Sequence, residues 1–375
     1  MFTYYLNSMF IVILLALLCV AILGVVIYIF VLDDRKSLTD RLKKDKKTEV
    51  WTHSTKGSLF EVGLWHVRFH QAELRAVYDE IHKKIIGMEH FINAIILNML
   101  CDGHMLIEGV PGLAKTKTIH TFADIMGMDF KRIQFTPDML PADIVGVEIY
   151  DNEKKHFEAK IGPIMANIIL ADEINRATPK VQSALLESMQ ERQVTIWWTT
   201  FKLPDPFFVL ATQNPLEQEG TYPLPEAQID RFLFKIIVSY PTVHDEKKIL
   251  DEMEHDDSIQ VKKVMSHEDF LHIKKDISQV TISDQVKSYI TRLVDATRNC
   301  EQLSYGASPR GSIGLMTASK ALAFCEGRDY VTHDDVQRVT LPVLRHRVVM
   351  SYEAKMEGLQ VDDVLMKVFE EIALA

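Results

Sequence analysis

The chain has 375 residues, of which 47% are hydrophobic and 25% are charged, and its formal net charge at pH 7 is −10. Its length suggests about two domains, and its hydrophobic fraction excludes an intrinsically disordered protein. The acidic charge makes the chain a poor candidate for a nucleic-acid-binding protein. None of its four cysteines forms a Cys-x-x-Cys pair, which argues against a disulfide framework and against a thiolate zinc site.

The N-terminus is an uncharged, apolar segment. Residues 1–32 contain no Asp, Glu, Lys or Arg, and the twenty-four residues 9–32 are mostly aliphatic. As a helix, this stretch would extend about 36 Å, enough to cross a hydrocarbon core of about 30 Å. A cleaved signal peptide would need a basic start, which is missing here. A buried soluble helix is disfavoured because no polar stripe interrupts the segment. Residues 1–32 are therefore predicted to contain a single transmembrane helix.

Residues 33–63 are predicted to form a basic juxtamembrane linker. Positions 33–56 hold eight Lys and Arg against five Asp and Glu, whereas no positive charge precedes the apolar segment. The positive-inside rule then places everything after residue 33 in the cytoplasm. Beside a membrane helix, the basic residues favour contact with anionic lipid over contact with DNA. The predicted location is the cell membrane, with a single pass, lipid contact through the N-terminal helix and no nucleic-acid partner.

From residue 64 to about residue 240, apolar runs alternate with amphipathic helical stretches. Two stretches with helical spacing are Lys115–Met126 and Pro179–Arg192, and Thr178 is the predicted N-cap of the second. Alternation of this kind predicts an α/β domain with a mostly parallel, five-stranded sheet covered on both faces. The five predicted strands are Met105–Glu108, Lys131–Phe135, Ile168–Asp172, Phe207–Thr212 and Leu233–Val238.

From residue 241 to residue 375 the pattern indicates helices alone. Three polar residues stand where helices are expected to begin, each followed by a suitable first turn. These predicted caps are Ser266, Ser308 and Thr332.

The segment Gly109–Thr116 has the form of a phosphate-binding loop. Its sequence Gly-Val-Pro-Gly-Leu-Ala-Lys-Thr follows the first predicted strand and opens a helix. In this context backbone N–H groups surround phosphate oxygens, Lys115 reaches the β- and γ-phosphates, and the Thr116 hydroxyl binds Mg²⁺. Ala114 stands where the general pattern has Gly. Alanine is acceptable there if the backbone is already helical, since only a positive φ requires Gly.

Two carboxylates end the third predicted strand. Asp172 is suited to hold Mg²⁺, and Glu173 is suited to polarise the attacking water. The next strand leads to Asn214, which either orients this water or forms a simple Asn-Pro turn. Because the ends of parallel strands meet at one edge of the sheet, these side chains are expected near the loop.

Together these motifs resemble those of a MoxR-family AAA+ ATPase. They are similar to the Walker A, Walker B, sensor 1, arginine-finger and sensor 2 motifs of that family, and the resemblance covers roughly residues 64–375. Ala114 is usual in the family. The resemblance implies a P-loop AAA+ domain over 64–240, followed by an all-helical lid over 241–375. The matching segments, in order, are Gly109–Thr116, Leu170–Ala177, Ala211–Pro215, Leu224–Phe232 and Gly306–Arg310.

The resemblance also implies roles for single residues. Thr116 and Asp172 would bind Mg²⁺, and Glu173 would be the catalytic base. Asn214 would be sensor 1. The residues that would hold ATP are Gly109, Val110, Pro111, Gly112, Leu113, Ala114, Lys115, Thr116 and Thr118.

Two arginines complete the implied site. Arg310 would be sensor 2, on the lid, and would contact the γ-phosphate of its own subunit. Arg231 would be the arginine finger that enters the neighbouring subunit's site. From the residues alone, either arginine could instead form a structural ion pair.

Two further segments, Glu148–Lys160 and Gln193–Pro204, resemble hairpin insertions of the family. The second contains Trp197 and Trp198, which cannot both face the core if the segment is a strand. One interpretation is a packed Trp beside a half-exposed one. The other is an aromatic surface that faces a ring pore or a partner.

The sequence thus predicts an Mg²⁺-dependent, membrane-anchored ATPase that remodels or matures another protein. The resemblance implies a homo-oligomer, a hexameric ring, and partners that carry von Willebrand factor A domains. The alternative is a nucleotide-gated membrane scaffold in which turnover is incidental. A DNA-directed motor is disfavoured by the acidic charge.

Overall fold

The computed structural model describes residues 64, 66–215, 220–253 and 259–373. The predicted transmembrane segment (1–32) and the predicted linker (33–63) lie outside these residues. Within the described ranges, no helix combines the length and the apolar character that a membrane crossing needs.

The described part of the chain contains helices and strands that we number in chain order. The helices are α1 (Ala72–Ile81), α2 (Glu89–Leu100), α3 (Lys115–Met126), α4 (Pro141–Val145), α5 (Pro179–Glu191), α6 (Glu226–Ile229), α7 (Val243–Met253), α8 (His267–Gln279), α9 (Asp284–Arg298), α10 (Pro309–Cys325), α11 (His333–Leu344), α12 (Tyr352–Met356) and α13 (Val361–Ala373). The strands are β1 (Met105–Glu108), β2 (Phe130–Gln134), β3 (Gly146–Asp151), β4 (His156–Ile161), β5 (Ile168–Asp172), β6 (Gln193–Ile196), β7 (Thr199–Lys202), β8 (Phe208–Gln213), β9 (Phe234–Ile237), β10 (Leu303–Tyr305) and β11 (Val349–Met350).

The central sheet has five strands in the order β2-β5-β8-β1-β9. Every neighbouring pair in it is parallel. This confirms the predicted five-stranded parallel sheet, with bounds that differ from the predicted ones by a residue at some ends. Because β1 lies between β8 and β9, and β5 adjoins β8, the carboxyl ends of β5, β8 and β1 are side by side. Ligands of open α/β sheets bind at this edge.

The inner strands β5, β8 and β1 are apolar at consecutive positions because both of their faces are covered. In β5, Ile168 and Leu170 belong to one buried cluster, while Ile169 and Ala171 belong to the cluster on the opposite face. A strand buried on both sides has no solvent-facing positions to fill with polar residues. Its polar side chains are therefore confined to its ends.

The lid confirms the three predicted caps. The hydroxyls of Ser266, Ser308 and Thr332 each accept a hydrogen bond from a backbone N–H in the first turn of the following helix. Ser266 and Thr332 are also part of capping boxes. Thr178 does occupy the N-cap of α5, but its side chain makes no capping hydrogen bond. Pro179 at the first helical position thus remains the local signal for this helix start.

The prediction of an all-helical lid is wrong in one detail. Strands β10 and β11 form a two-stranded antiparallel ribbon in which Leu303 pairs with Met350 and Tyr305 with Val349. Leu303 and Met350 are buried there. Strands of three and two residues are too short to show a period of two in the sequence, so the pattern could not reveal them.

The lid and one face of the sheet share a single hydrophobic cluster. Helix α2 joins them: residues 91–100 are all buried, and the helix packs against β9, α8 and α10. A helix that is buried on every side needs no polar stripe, and the sequence of α2 has none through its last ten residues. The domain boundary near residue 240 stays a prediction, because the cluster runs across it.

Candidate active site

The loop between β1 and α3 depends on two glycines. Gly112 has a φ of 86°, a backbone conformation that glycine adopts without strain. At Gly109, a Cβ atom would lie 2.8 Å from the carbonyl oxygen of Val238. Glycine therefore lets the loop approach the residue that follows β9. These two constraints give the Gly109–Thr116 segment its shape.

Ala114 is in the left-handed region, with φ 52° and ψ 17°, at the N-cap of α3. The condition under which alanine would be free of strain here, a right-handed helical backbone, is therefore not met. For a non-glycine residue this conformation costs about 1–2 kcal/mol, and such strain is concentrated at ligand-binding turns. The Ala114 carbonyl accepts hydrogen bonds from the Thr118 backbone N–H at 2.9 Å and from the Thr118 hydroxyl at 3.1 Å. The first turn of α3 thus holds the loop in its strained form.

Lys115 is half-buried at the start of α3 and closes the loop on itself. Its ammonium group donates to the Gly109 carbonyl at 2.7 Å. Burial lowers the pKa of Lys115, while the nearby charges of Asp172 and Glu173 act in the opposite direction. The structure therefore brings Lys115 within electrostatic range of both predicted catalytic carboxylates.

Asp172 ends β5 with both carboxylate oxygens engaged. Oδ2 accepts from Arg132 Nη2 at 2.6 Å and from Arg132 Nε at 3.0 Å, and Oδ1 accepts from the Thr212 hydroxyl at 2.6 Å. Carboxylate and hydroxyl oxygens, as in Asp172 and Thr116, are the ligand types that Mg²⁺ prefers. Asp172 already faces a cation, the Arg132 guanidinium, so the residues present fit a magnesium ion.

Glu173 follows β5 with a φ of 57°. Its backbone N–H donates to the Thr212 hydroxyl at 2.9 Å, so Thr212 holds both acidic residues. The carboxylate accepts from Gln134 Nε2 at 2.7 Å and pairs with Arg176 Nε at 3.1 Å. The left-handed backbone and these partners together direct Glu173 away from a regular strand path.

The sequence analysis did not identify Arg132, Gln134, Arg176 and Thr212. Arg132 and Gln134 lie on the edge strand β2, and Thr212 is the penultimate residue of β8, on the other side of β5. Gln134 and Thr212 lie at or one residue before the carboxyl ends of parallel strands, which is a usable signal once the strand order is known. Arg132 lies in the middle of β2, and Arg176 lies in the turn after β5. The strand order itself cannot be read from the sequence.

The remaining predicted nucleotide residues lie in the same part of the sheet. Asn214 is buried and directly follows β8. Thr116 is half-buried in the first turn of α3. Thr118 is fully buried and its hydroxyl is bonded to Ala114, so its side chain supports the loop. The roles of these residues toward a nucleotide stay predictions.

The two predicted arginines are held by groups of their own chain. Arg231 is half-buried, and its Nη1 donates to the Leu186 carbonyl at 2.6 Å. Its Nε is buried and has no hydrogen-bond partner among the described residues. Arg310 is 52% exposed and lies 3.7 Å from an oxygen of Asp230. For Arg310 the structure thus contains an ion pair, whereas for Arg231 it shows a hydrogen bond to a backbone carbonyl.

Known proteins share this architecture. Residues 104–234 match the ATPase family associated with various cellular activities (AAA), and residues 295–368 match the AAA lid domain. The chain is 45% identical over 309 residues to Chaperone MoxR1 of Mycobacterium tuberculosis, which covers 80% of this chain and 81% of that protein. It is also 45% identical over 295 residues to YeaC of Bacillus subtilis, with coverages of 78% and 92%. The chain belongs to the MoxR family of AAA+ ATPases.

A crystal structure from Cytophaga hutchinsonii agrees with this MoxR-family assignment. It is 46% identical in sequence, has a TM-score of 0.75, and is matched over 80% of this chain and 93% of its own. The protein is therefore an ATPase with an α/β AAA+ core and a helical lid.

A cavity of about 400 Å³ lies beside the P-loop helix of this MoxR-family protein. Met88, which follows the cavity residue Gly87, has its sulfur 3.7 Å from the Thr118 hydroxyl in α3. No motif marked this cavity, since its walls come from the α1–α2 connection and from α7, far apart in the chain. Its lining residues are His82, Ile85, Ile86, Gly87, Glu89, Asp245, Lys248 and Asp251.

Both predicted hairpin insertions are hairpins, β3–β4 and β6–β7. Trp197 and Trp198 form the turn of the second, where Trp197 has a φ of 57°. They are 70% and 88% exposed and touch each other edge to face, with ring centroids 6.3 Å apart. The interpretation in which one Trp packs against the hairpin is therefore wrong. Both rings lie at the tip because the two-residue turn leaves neither of them a strand face.

We expect Lys115→Ala to abolish ATP binding or to weaken it at least tenfold. The variant removes the cation nearest the loop, and one charge-assisted hydrogen bond is worth about 1.5–3 kcal/mol. The fold should persist, since the ammonium group bonds only a loop carbonyl. Titration with a fluorescent ATP analogue measures the affinity. Lys117→Ala, an exposed position in the same helix turn, is the matched control and should bind normally. Normal binding by a folded Lys115→Ala protein would contradict the site.

Proposed function

We propose that this protein is a membrane-anchored, Mg²⁺-dependent MoxR-family ATPase that works as a hexameric ring and remodels or matures a partner protein. The observation that carries the proposal is the convergence of three residues at the carboxyl edge of the parallel sheet: Lys115 follows the loop after β1, Asp172 ends β5, and Glu173 comes directly after it. A base, a metal ligand and a phosphate-binding cation in one place are the parts that nucleotide hydrolysis needs.

Binding begins at the loop. The phosphates lie over the N-terminus of α3, where free backbone N–H groups and the helix dipole favour negative charge. Lys115 leaves the Gly109 carbonyl and pairs with oxygens of the β- and γ-phosphates. The cavity that borders Met88 and α3 is placed to receive the nucleoside. Its polar walls offer donors and acceptors for a base edge.

Hydrolysis uses the two acidic residues differently. When bound, Mg²⁺ would supply positive charge that offsets the negative charge developing on the leaving-group oxygens. Asp172 and Thr116 would hold this ion, with Asp172 exchanging its Arg132 partner for it. Glu173 accepts the proton of the attacking water, and Asn214 orients that water. Thr212 keeps the two acids in register, because its hydroxyl contacts both residues.

The ring assembly supplies the last charge. In the proposed arrangement, Arg231 leaves the Leu186 carbonyl and enters the site of the neighbouring subunit. Its unpartnered Nε among the described residues supports a second, better-satisfied position for this side chain. A finger in trans requires a head-to-tail interface that repeats until the ring closes.

Two inactive variants should restore activity when they are mixed. Arg231→Ala should bind ATP but hydrolyse it about 10³–10⁵-fold more slowly, the usual loss on removal of an arginine finger. Glu173→Gln should be inactive through loss of the base in its own pocket. In a mixed ring, the intact pocket of an Arg231→Ala subunit can receive the finger of a Glu173→Gln neighbour. Phosphate release should therefore return on mixing.

As one control, each variant is assayed alone at the same total protein concentration. As a second control, the mixture is assayed with EDTA in place of Mg²⁺, where phosphate release should stop. Hydrolysis at the wild-type rate by Arg231→Ala alone would show that Arg231 is not a finger.

The membrane anchor rests on the sequence of residues 9–32 and on the basic residues that follow. An apolar segment of this length with positive charge only on its C-terminal side favours a single pass with the ATPase in the cytoplasm. Cytoplasmic ATP would then reach the site directly.

Protease added to sealed spheroplasts should leave the ATPase part intact. The same protease should digest accessible loops of that part after the membrane is permeabilised, which controls for intrinsic resistance. Immunoblotting with an antibody against the lid measures the result. Digestion in sealed spheroplasts would contradict the proposed topology.

A partner protein is proposed from the family membership. The relative from Mycobacterium tuberculosis carries the name chaperone, and the resemblance noted in the sequence implies clients with von Willebrand factor A domains. The exposed tip formed by Trp197 and Trp198 offers a contact surface, since aromatic residues are enriched in protein interfaces.

The full-length Glu173→Gln protein should retain its partner in the presence of ATP, because it binds ATP but cannot hydrolyse it and so stays in the ATP-bound state. Affinity purification from its own membrane followed by mass spectrometry identifies the retained protein. Lys115→Ala, which should not hold ATP, is the control and should retain at least tenfold less. Equal recovery by both variants would contradict ATP-dependent partner binding.

A further inference from the structure

The carboxylate of Asp230 joins the α/β domain to the lid. It lies at the C-terminal end of α6, one residue before Arg231. Its Oδ1 accepts from Arg347 Nε at 2.9 Å. Its Oδ2 accepts from the Ser308 hydroxyl at 3.0 Å and lies 3.7 Å from Arg310 Nη1. We call Asp230, Ser308, Arg310 and Arg347 the lid clamp.

Arg347 is the fixed member of the lid clamp. Its side chain is only 3% exposed. Besides Asp230, the guanidinium donates to the carbonyls of Phe232 at 2.6 Å and Leu233 at 3.0 Å, and to that of Val343 in the preceding lid helix, α11. Burial lowers the pKa of Arg347 to about 10, and Asp230 opposes this shift. The buried guanidinium of Arg347 thus binds the chain from Asp230 to Leu233 to the lid. The Asp230 carboxylate compensates its positive charge.

Arg310 is the exchangeable member. At 3.7 Å and half-exposed, its pair with Asp230 is of the kind that contributes little and is readily broken. A γ-phosphate presents more negative charge than one carboxylate, and would draw Arg310 away. Asp230 would then keep Arg347 but lose a neighbouring positive charge.

Arg231 follows Asp230 directly, so its Cα lies about 3.8 Å from that of Asp230. Its guanidinium reaches the Leu186 carbonyl in α5. A change in how the lid holds Asp230 therefore changes the position from which Arg231 extends. The lid thus contacts Asp230 and Phe232, the two sequence neighbours of the residue assigned to the next subunit's pocket.

We propose that Asp230 is a positioning residue through which the lid of one subunit sets the place of Arg231 for the neighbouring subunit. This rests on the proposed function, in which Arg310 contacts the γ-phosphate in its own subunit and Arg231 acts in trans. ATP bound in one subunit would thereby position Arg231 for the pocket of the next subunit, and the subunits of the ring would hydrolyse ATP in a coupled order.

The test introduces Asp230→Asn into one or the other of the two subunits that together form an active site. The reference is the mixture of full-length Glu173→Gln, which supplies the finger, and full-length Arg231→Ala, which supplies the pocket. Asp230→Asn added to the finger-supplying protein should lower the restored hydrolysis about 10²-fold, the loss expected for a misplaced catalytic group. Added to the pocket-supplying protein, it should lower hydrolysis less than about fivefold, because Arg310 is the only member of that pocket, among the described residues, that Asp230 contacts and their pair is half-exposed.

ATP affinity should be unchanged in either placement, because each pocket keeps Lys115. A loss of turnover without a loss of binding separates misplacement of the finger from damage to the pocket. Asp284→Asn, which removes an exposed carboxylate paired with Lys287 in α9, is the matched control and should change neither quantity.

Equal losses on both sides of the interface would show that Asp230 has a structural role only, and would overturn the inference. If Asp230→Asn does not fold by circular dichroism, Arg347→Lys takes its place with the same expectations, since it keeps a cation beside Asp230 but loses the fork of donors. If the reference mixture shows no restored hydrolysis although the wild type is active, the finger does not act in trans and the inference falls with it. A working reference mixture with no difference between the two sides overturns the inference alone.

Discussion

The structure depends on the burial of a parallel sheet on both faces. Strands such as β5 must be apolar throughout, because one set of side chains packs against the P-loop helix and the lid and the other against α5 and its neighbours. Polar groups can then stand only at the strand ends. The carboxyl ends of β5, β8 and β1 adjoin, and this is where Asp172, Glu173, Asn214 and the loop are found. The position of the active site follows from the way the core is built.

At that edge, charge balance decides the local geometry. Asp172 is bonded to Arg132 and Glu173 to Gln134 and Arg176, while Lys115 lies near both acids. Two carboxylates on consecutive residues repel each other, and surrounding donors offset this repulsion. The partners of the acids come from β2, from β8 and from the turn after β5. In the function proposed above, a nucleotide and its metal ion would enter a site whose charges are already paired, so that binding would proceed by exchange of partners.

The lid is attached by packing and by buried charge together. Helix α2 lies within the hydrophobic cluster that the lid and the sheet share, and this cluster provides the buried apolar surface of the attachment. The Asp230–Arg347 pair fixes the orientation of the lid, because a guanidinium group fixes the angle as well as the distance of its hydrogen-bond acceptors. Breaking a buried pair of this kind leaves an uncompensated charge and is costly. The attachment at Arg347 is therefore tight, whereas the contact of Arg310 with Asp230, at 3.7 Å, is loose.

The sequence by itself determined the five strands, the P-loop, the two acids and the lid caps. These features depend on contiguous residues, through period, turn chemistry and capping, and so can be read locally. Only the tertiary structure decided which cation meets which acid. Arg132 and Asp172 are 40 residues apart and Arg347 and Asp230 are 117 apart, and they meet only because the strand order β2-β5-β8-β1-β9 and the docking of the lid bring them together. The left-handed backbone conformations of Ala114 and Glu173 were also decided only by the tertiary structure. A strained conformation persists because its surroundings hold it, and those surroundings do not exist until the chain has folded.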